Sequence, residues 1–219
     1  MEYTNKALLS PIFLVLYVAL IGCEDISRKD DSKQGTRTSA DSLTDFSTSL
    51  HAKETAYSKR QTNGFGELLN NISFAVRTDD KKEFANGLIP WASIENPENE
   101  IPKLVDANRI VVPGNKVTIV IDYPLIKEFR FDAESKNGFT RAQLLRDISS
   151  AYYKIYKEEE QTATTKTIPV EKRNTTYNRN QTNGIHGIWG HDIADLVLAE
   201  VLVYEERSGK IILSLNIES

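Results

Sequence analysis

The strongest constraint on the fold is a segment around residues 140–158 whose apolar residues recur at helical spacing. It begins with a capping box, in which the hydroxyl of Thr140 accepts a hydrogen bond from the N–H of Gln143 and the Gln side chain reaches back. The apolar residues that follow are spaced by three, four and three positions: Leu145, Ile148, Tyr152 and Ile155. The pattern predicts an amphipathic helix over about 141–158 with one stripe to bury. Because Glu158–Glu160 face the negative end of the helix dipole, we expect that end to fray.

Alternating apolar and polar residues predict two pairs of strands around this helix, over residues 116–122 and 127–132 before it and 196–204 and 210–217 after it. Ser208-Gly209 separates the last two strands and is a hairpin signal. On the final strand we expect one buried face and one largely exposed face. The order strand, strand, helix, strand, strand predicts an α+β fold, with an antiparallel sheet of about four strands and one main helix packed on one face.

Residues 67–88 carry a weaker helical pattern. Leu68, Leu69, Ile72 and Val76 recur at helical spacing, and Asp79-Asp80 can cap a second helix over 81–86. The sequence therefore predicts two short helices ahead of the strands.

The amino-terminal residues look like a secretion signal. Residues 7–20 are apolar apart from Ser10 and Pro11, a run shorter than the roughly 20 residues that span a bilayer. The run ends at Leu20-Ile21-Gly22-Cys23, which resembles the lipobox of bacterial lipoprotein precursors. The resemblance covers residues 1–23 and implies cleavage before Cys23, a thioether-linked diacylglycerol on its sulfur and an acyl chain such as palmitate on the new amino group. An uncleaved anchor with an incidental cysteine is the alternative.

This resemblance implies a domain order and a location. Residues 1–22 are the signal peptide, and residues 23–62 are the lipidated Cys23 with a flexible tether rich in Ser, Thr and charged residues. Residues 63–219 form a single α+β domain. We expect a protein held by lipid at the inner or outer membrane of the bacterial envelope, where more than one acyl chain gives stable anchoring.

Composition excludes several function classes. With 27 Lys and Arg against 31 Asp and Glu, the net charge is −4, so nucleic acid is not an expected partner. A single cysteine rules out an internal disulfide framework. The sequence also contains no phosphate-binding loop, no nucleophile elbow and no His-Glu-x-x-His zinc helix. No enzyme class is therefore indicated.

The candidate site is the Asn-, Gln- and Gly-rich segment 174–195, which holds both histidines of the body. One hypothesis is binding without catalysis, in which aromatic and polar groups hold a protein, peptide or saccharide: Asn178, Asn180, Trp189 and Asp192. For Trp189 the alternative is a place in the core.

The second hypothesis is a metal-dependent envelope hydrolase. The imidazoles of His186 and His191 and the carboxylate of Asp192 or Asp195 would bind zinc and leave a position for water. The spacing matches no established metal signature, and these side chains can instead hydrogen-bond the backbone of a long loop. The sequence therefore favours a non-enzymatic envelope lipoprotein that binds a ligand or protein, with the hydrolase as the alternative.

Overall fold

One long helix packs against a β-sheet in the computed structural model, which describes residues 48–55, 64–173 and 179–219. The predicted signal peptide, Cys23 and most of the predicted tether lie outside the described residues. The helices in the described part are α1 (residues 48–55), α2 (Pro97–Glu100) and α3 (Arg141–Thr162), with single 3₁₀ turns at Val170–Lys172 and Ile193–Asp195. This architecture confirms the predicted α+β class.

Five of the described strands have six to nine residues, and five have two or three. They are β1 (Glu67–Ser73), β2 (Val76–Arg77), β3 (Leu88–Ile89), β4 (Ala92–Ser93), β5 (Ile110–Val112), β6 (Lys116–Ile121), β7 (Phe129–Glu134), β8 (Phe139–Thr140), β9 (Val197–Glu205) and β10 (Ile211–Glu218).

Six of the strands described form one sheet in the order β1-β9-β10-β6-β7, with β4 pairing with the start of β9. The two predicted pairs, β6 with β7 and β9 with β10, are both antiparallel. They meet through a parallel pairing of β10 with β6, in which Leu213 lies opposite Ile119. The sheet thus has more strands than predicted, and one of its pairings is parallel.

The central position of β10 changes the burial of its side chains. Ser214, which the alternation places on the exposed face, is only 2% exposed. The expectation of a largely exposed second face is wrong at this residue because the larger side chains of Leu202 on β9 and Val120 on β6 flank the small serine on the same face. It holds at the end of the strand, where Glu218 is exposed.

The predicted stripe of α3 forms the centre of the core. Its four apolar side chains are all 0% exposed: Leu145, Ile148, Tyr152 and Ile155. They belong to one cluster with Val117, Ile119 and Leu213 on the sheet. The Tyr152 hydroxyl also donates to the carbonyl of Tyr123 at 2.7 Å, so this polar group is satisfied in the core.

Both ends of α3 are held by side chains. At the start, Thr140 accepts from the N–H of Gln143 at 3.2 Å as predicted, but the Gln143 side chain donates to the carbonyl of Glu134 instead of reaching back. At the end, the helix continues to Thr162, and Glu159 is 0% exposed. The prediction that this end frays is wrong because Glu159 is bound by the segment that follows the helix.

The prediction of two helices over residues 67–88 is also wrong. The segment opens with β1, which pairs with β9 at the sheet edge and places Ile72 opposite Val201. Leu68 and Leu69 are 53% and 50% exposed, so they do not share a buried face with Ile72. Asp80 does accept hydrogen bonds from two backbone N–H groups, as a cap would, but it caps a turn and not the predicted helix.

Helix α1 lies within the segment predicted to be a tether. Its Leu50 is partly buried and packs against the core cluster of the body. For the rest of residues 23–62 the tether stays a prediction. Within the described ranges, no helix has both the length and the apolar character needed to cross a bilayer.

Candidate functional site

The carboxylate of Glu159 organises the loop that the sequence marks as a candidate site. It accepts hydrogen bonds from the hydroxyl of Thr182 at 2.6 Å and from the N–H groups of Gly184, His186 and Gly187 at 2.7, 2.9 and 3.0 Å. Burial raises the pKa of Glu159, but these four bonds outweigh it and hold the pKa at about 2. The loop is therefore fixed by a charged acceptor at the end of α3.

The amide side chains of this loop are hydrogen-bonded to nearby backbone. Asn180 accepts from the N–H of Ile168 at 2.7 Å and donates to the carbonyl of Lys166 at 3.1 Å. Asn183 accepts from the N–H of Thr165 at 2.7 Å. These contacts agree with the structural alternative for the loop. Asn178, also a predicted binding residue, lies outside the described residues.

Trp189 lies in the core and is 4% exposed. Its ring makes an edge contact with Tyr123, with centroids 5.2 Å apart, and a second one with His191 at 6.0 Å. On its outer side, Lys53 of α1 lies 5.9 Å from the ring centroid. The indole is thus enclosed by the body and α1, as the core alternative predicts.

The two histidines face different carboxylates. His186 Nε2 lies 3.0 Å from Glu158 Oε2, and the ring packs edge-on against Phe129. His191 Nε2 lies 3.2 Å from Glu54 Oε1 on α1. The two imidazoles therefore contact different carboxylates and do not form one cluster.

The Glu54 contact also ties α1 to the core. Glu54 Oε1 accepts from the Tyr123 hydroxyl at 2.7 Å. Burial raises the pKa of Glu54, but hydrogen bonds from His191 and Tyr123 outweigh that effect and leave the pKa below its usual value. The ionised form of Glu54 is therefore the form that holds α1 in place.

Asp192 is the counter-ion of two buried arginines. Arg173 donates to both of its carboxylate oxygens, and Arg179 Nε lies 3.9 Å from Oδ1. The side chains of Arg173 and Arg179 are 5% and 4% exposed. Asp195 accepts from the backbone N–H of Asp192 at 2.8 Å and completes a small capping box. Both aspartates thus already have partners within the loop.

The predicted metal ligands are accordingly engaged with three different partners. His186 contacts Glu158, His191 contacts Glu54, and Asp192 contacts the arginines. In the part of the chain that the structure describes, no group of three or more His, Cys, Asp or Glu side chains is placed to hold a metal ion.

A groove of about 330 Å³ lies on another side of the body, between β7 and α3. Its walls are Phe129, Phe131, Asp132, Ala133 and Glu134 from the strand and Asp147, Ser150, Ala151 and Lys154 from the helix. Alternate residues of a strand point to opposite faces, so a groove lined by residues 131–134 runs along the strand edge. Among described residues β7 pairs only with β6, and this edge carries no further strand.

The charges in this groove are unevenly partnered. Lys116, which does not line the groove, has its Nζ 3.0 Å from Asp132 and 3.8 Å from Glu134. Lys154 lies 5.4 Å from the ring centroid of Phe129. Burial raises the pKa of Asp147, and a hydrogen bond from Gln143 offsets only part of that effect. Asp147 is therefore a half-buried carboxyl that would gain from a cationic partner.

The sequence predicts a strand over residues 127–132 without placing it at the edge of a sheet, so the groove is not predicted. A signal was present in the alternation of Phe129, Phe131 and Ala133 with charged Arg130, Asp132 and Glu134. Charged residues on every second position are typical of an edge strand. Which helix face would lie beside that edge is set by tertiary packing.

Comparison of the chain with protein-family models, with curated proteins and with solved structures found no match. The functional assignment therefore depends on the geometry of this chain alone.

Proposed function

We propose that this protein is a lipid-anchored bacterial envelope protein whose α+β body binds a partner protein in the groove between β7 and α3. The observation that carries the proposal is the outer edge of β7, with which no described strand pairs, beside the apolar side chains of Phe129, Phe131 and Ala133. Phe129 and Phe131 are both only half-buried, so each presents part of its ring to the groove. Partly exposed aromatic rings beside free strand backbone are typical of peptide-binding surfaces.

The anchoring half of the proposal rests on the lipobox-like residues Leu20-Ile21-Gly22-Cys23. A diacylglycerol on Cys23 and a further acyl chain would hold the protein at a membrane surface. The tether predicted within residues 23–62 would then separate the body from the lipid. The binding groove would face partners that reside in, or pass along, the envelope.

The groove is a better binding surface than the Asn-rich loop. Asn180 and Asp192 already use their polar atoms within the protein, and Trp189 is enclosed. A ligand at the loop would have to replace those bonds, and breaking a buried polar contact costs about 1–3 kcal/mol. At the groove, by contrast, no described strand pairs with the outer edge of β7, so a ligand there would not have to break strand pairing.

Site-specific photo-crosslinking in cells tests the binding proposal. A photoreactive residue replaces exposed Ser150 in the groove of the full chain, and the control replaces exposed Arg207 in the turn between β9 and β10. We expect a discrete adduct from position 150 and none from position 207. The adduct should disappear when Phe131→Ala is added, with the melting temperature retained. Absence of an adduct at position 150, or the same adduct at position 207, would contradict the proposal.

Measuring the zinc content of the purified protein tests the alternative function, the metal-dependent hydrolase. Stoichiometric zinc that disappears in His186→Ala and in His191→Ala would replace the binding proposal with the enzyme. Zinc content unchanged by these substitutions would show that neither histidine is a ligand.

A further inference from the structure

We infer that the partner contributes an extended peptide that adds to β7 as one more strand. The peptide places a basic side chain against Asp147 and carries an apolar side chain two positions away from that basic residue. This inference rests on the proposed function, because it takes the groove as the binding surface. It goes further by naming the backbone conformation of the ligand and its side-chain pattern.

The strand conformation follows from where the groove lies. An added strand runs about 4.8 Å from its neighbour in the hydrogen-bonding direction, and the groove occupies that position beside β7. Every second residue of β7 presents its backbone N–H and C=O groups on this side, because the others face β6, and no described strand pairs with these outer groups. A bound helix satisfies its own backbone internally and would leave this row of groups unused. An extended peptide is therefore the occupant that matches the edge.

The side-chain pattern follows from the spacing on α3. The lining residues Asp147, Ala151 and Lys154 extend over two turns of α3, so the groove follows the helix axis. Asp147 and Ala151 are four residues apart, which at 1.5 Å per residue is about 6 Å along that axis. Every second side chain of an extended peptide is about 6.6–6.8 Å apart. Two successive inward side chains of the peptide therefore match Asp147 and Ala151.

The charge of the ligand follows from the partners already present. Lys116 forms ion pairs with both Asp132 and Glu134, whereas Asp147, which lines the groove, forms no ion pair with the described residues and accepts a hydrogen bond from Gln143. A Lys or Arg on the peptide would give Asp147 an ion pair in a half-buried setting, where such pairs are stronger than at an open surface. An apolar side chain two residues away would cover Ala151 and the ring of Phe131.

The test begins with selection from a displayed library of random eight-residue peptides on immobilised full-length protein. We expect enrichment of peptides with a basic and an apolar residue two positions apart. The same selection on Asp147→Asn should lose the basic preference and keep the apolar one. For a selected peptide, the dissociation constant should rise about tenfold in Asp147→Asn and change little in Asp80→Asn, an acid of an exposed turn outside the groove.

Hydrogen exchange of the protein with a selected peptide distinguishes strand addition to β7 from binding in the groove in another conformation. Strand addition predicts slower exchange at alternate amides within residues 129–134, those that point away from β6, with the edge strand β1 unchanged. Binding that depends on Phe131 but leaves those amides unprotected would overturn strand addition while the groove remains the binding surface. Enriched peptides without a basic residue would overturn the assignment to Asp147. If selection enriches no peptide over the Phe131→Glu variant, both the inference and the peptide form of binding fail, and the in-cell crosslink alone decides the proposed function.

Discussion

Gly184 donates its backbone N–H to Glu159 Oε1 at 2.7 Å, and a Cβ at this glycine would lie 2.5 Å from Oε2 of the same carboxylate. Real Cβ atoms do not approach oxygen so closely, and this oxygen is fixed by two further N–H groups. Glu159 and the loop are thus fitted to each other without a gap. The segment that looks most like a site in the sequence is held as part of the core.

Removing the charge of Glu159 should destabilise the protein strongly. In Glu159→Gln an amide group faces N–H donors that a carboxylate satisfied, so we expect a loss of about 3 kcal/mol in the free energy of unfolding. Denaturant unfolding of the purified protein measures it. The matched control is Glu160→Gln, whose side chain is 53% exposed and should change stability by at most about 1 kcal/mol. Equal losses in the two variants would show that the four hydrogen bonds contribute little.

The contribution of Glu159 should depend on pH in a defined direction. Its pKa is about 2 in the folded protein against an ordinary value of 4.5. A lowered pKa stabilises the folded state above the ordinary value, and that stabilisation, at most about 3 kcal/mol, is lost as pH falls through the folded pKa. The stability gap between wild type and Glu159→Gln should be constant from about pH 8 to 5 and shrink from about 4.5 toward 2. A gap that stays constant down to pH 2 would contradict a lowered pKa.

Two arginine–carboxylate pairs provide a comparison of buried with exposed charge. Asp192→Ala leaves Arg173 and Arg179 buried without their counter-ion and should cost about 3–5 kcal/mol. Glu98→Ala removes the partner of Arg146 at an exposed site and should leave the melting temperature close to that of wild type. Thermal unfolding of both variants measures the difference. If Asp192→Ala melts like wild type, the loop is not structural and its polar groups are again candidates for ligand binding.

The docking of α1 should depend on Leu50. Its side chain packs against the core beside Gly190, so Leu50→Ala should weaken docking and speed trypsin cleavage after Lys53 about tenfold. Mass spectrometry follows the cleavage product over time. Ser49→Ala, at an exposed position of the same helix, should cleave like wild type, and both variants should keep the melting temperature of the body. Identical cleavage of Leu50→Ala and wild type would show that the leucine does not hold the helix.

Local patterns in the sequence were sufficient for the central elements of the fold. The Thr140 cap and the stripe from Leu145 to Ile155 specify α3, because both are local signals that need no distant partner to define a helix. The hairpin of β9 and β10 follows from alternation around Ser208-Gly209. The same local signals failed for β1, where spacing of Leu68, Leu69 and Ile72 fits a helix but pairing with β9 decides the conformation.

The roles of Glu159, Glu54 and the groove residues could not be predicted from the sequence, because these roles depend on partners that are distant along the chain. Glu159 reads as one of three acids at an unfavourable helix end, and only the folded loop supplies the donors that make it a buried anchor. Glu54 lies in a polar segment, and its contact with His191 joins residues 137 positions apart. The groove requires β7 at the sheet edge beside Asp147, which neither segment specifies alone.

Whether the body works at a membrane surface is decided most directly by lipid labelling of Cys23. Cells expressing the full chain are grown with labelled fatty acid, and the protein is isolated from membrane and soluble fractions. The proposal predicts label in a processed, membrane-bound protein, and no label and no processing in Cys23→Ser. Label in both proteins, or an unlabelled wild type of full length, would contradict a lipid anchor at Cys23 and with it the envelope lipoprotein proposed here.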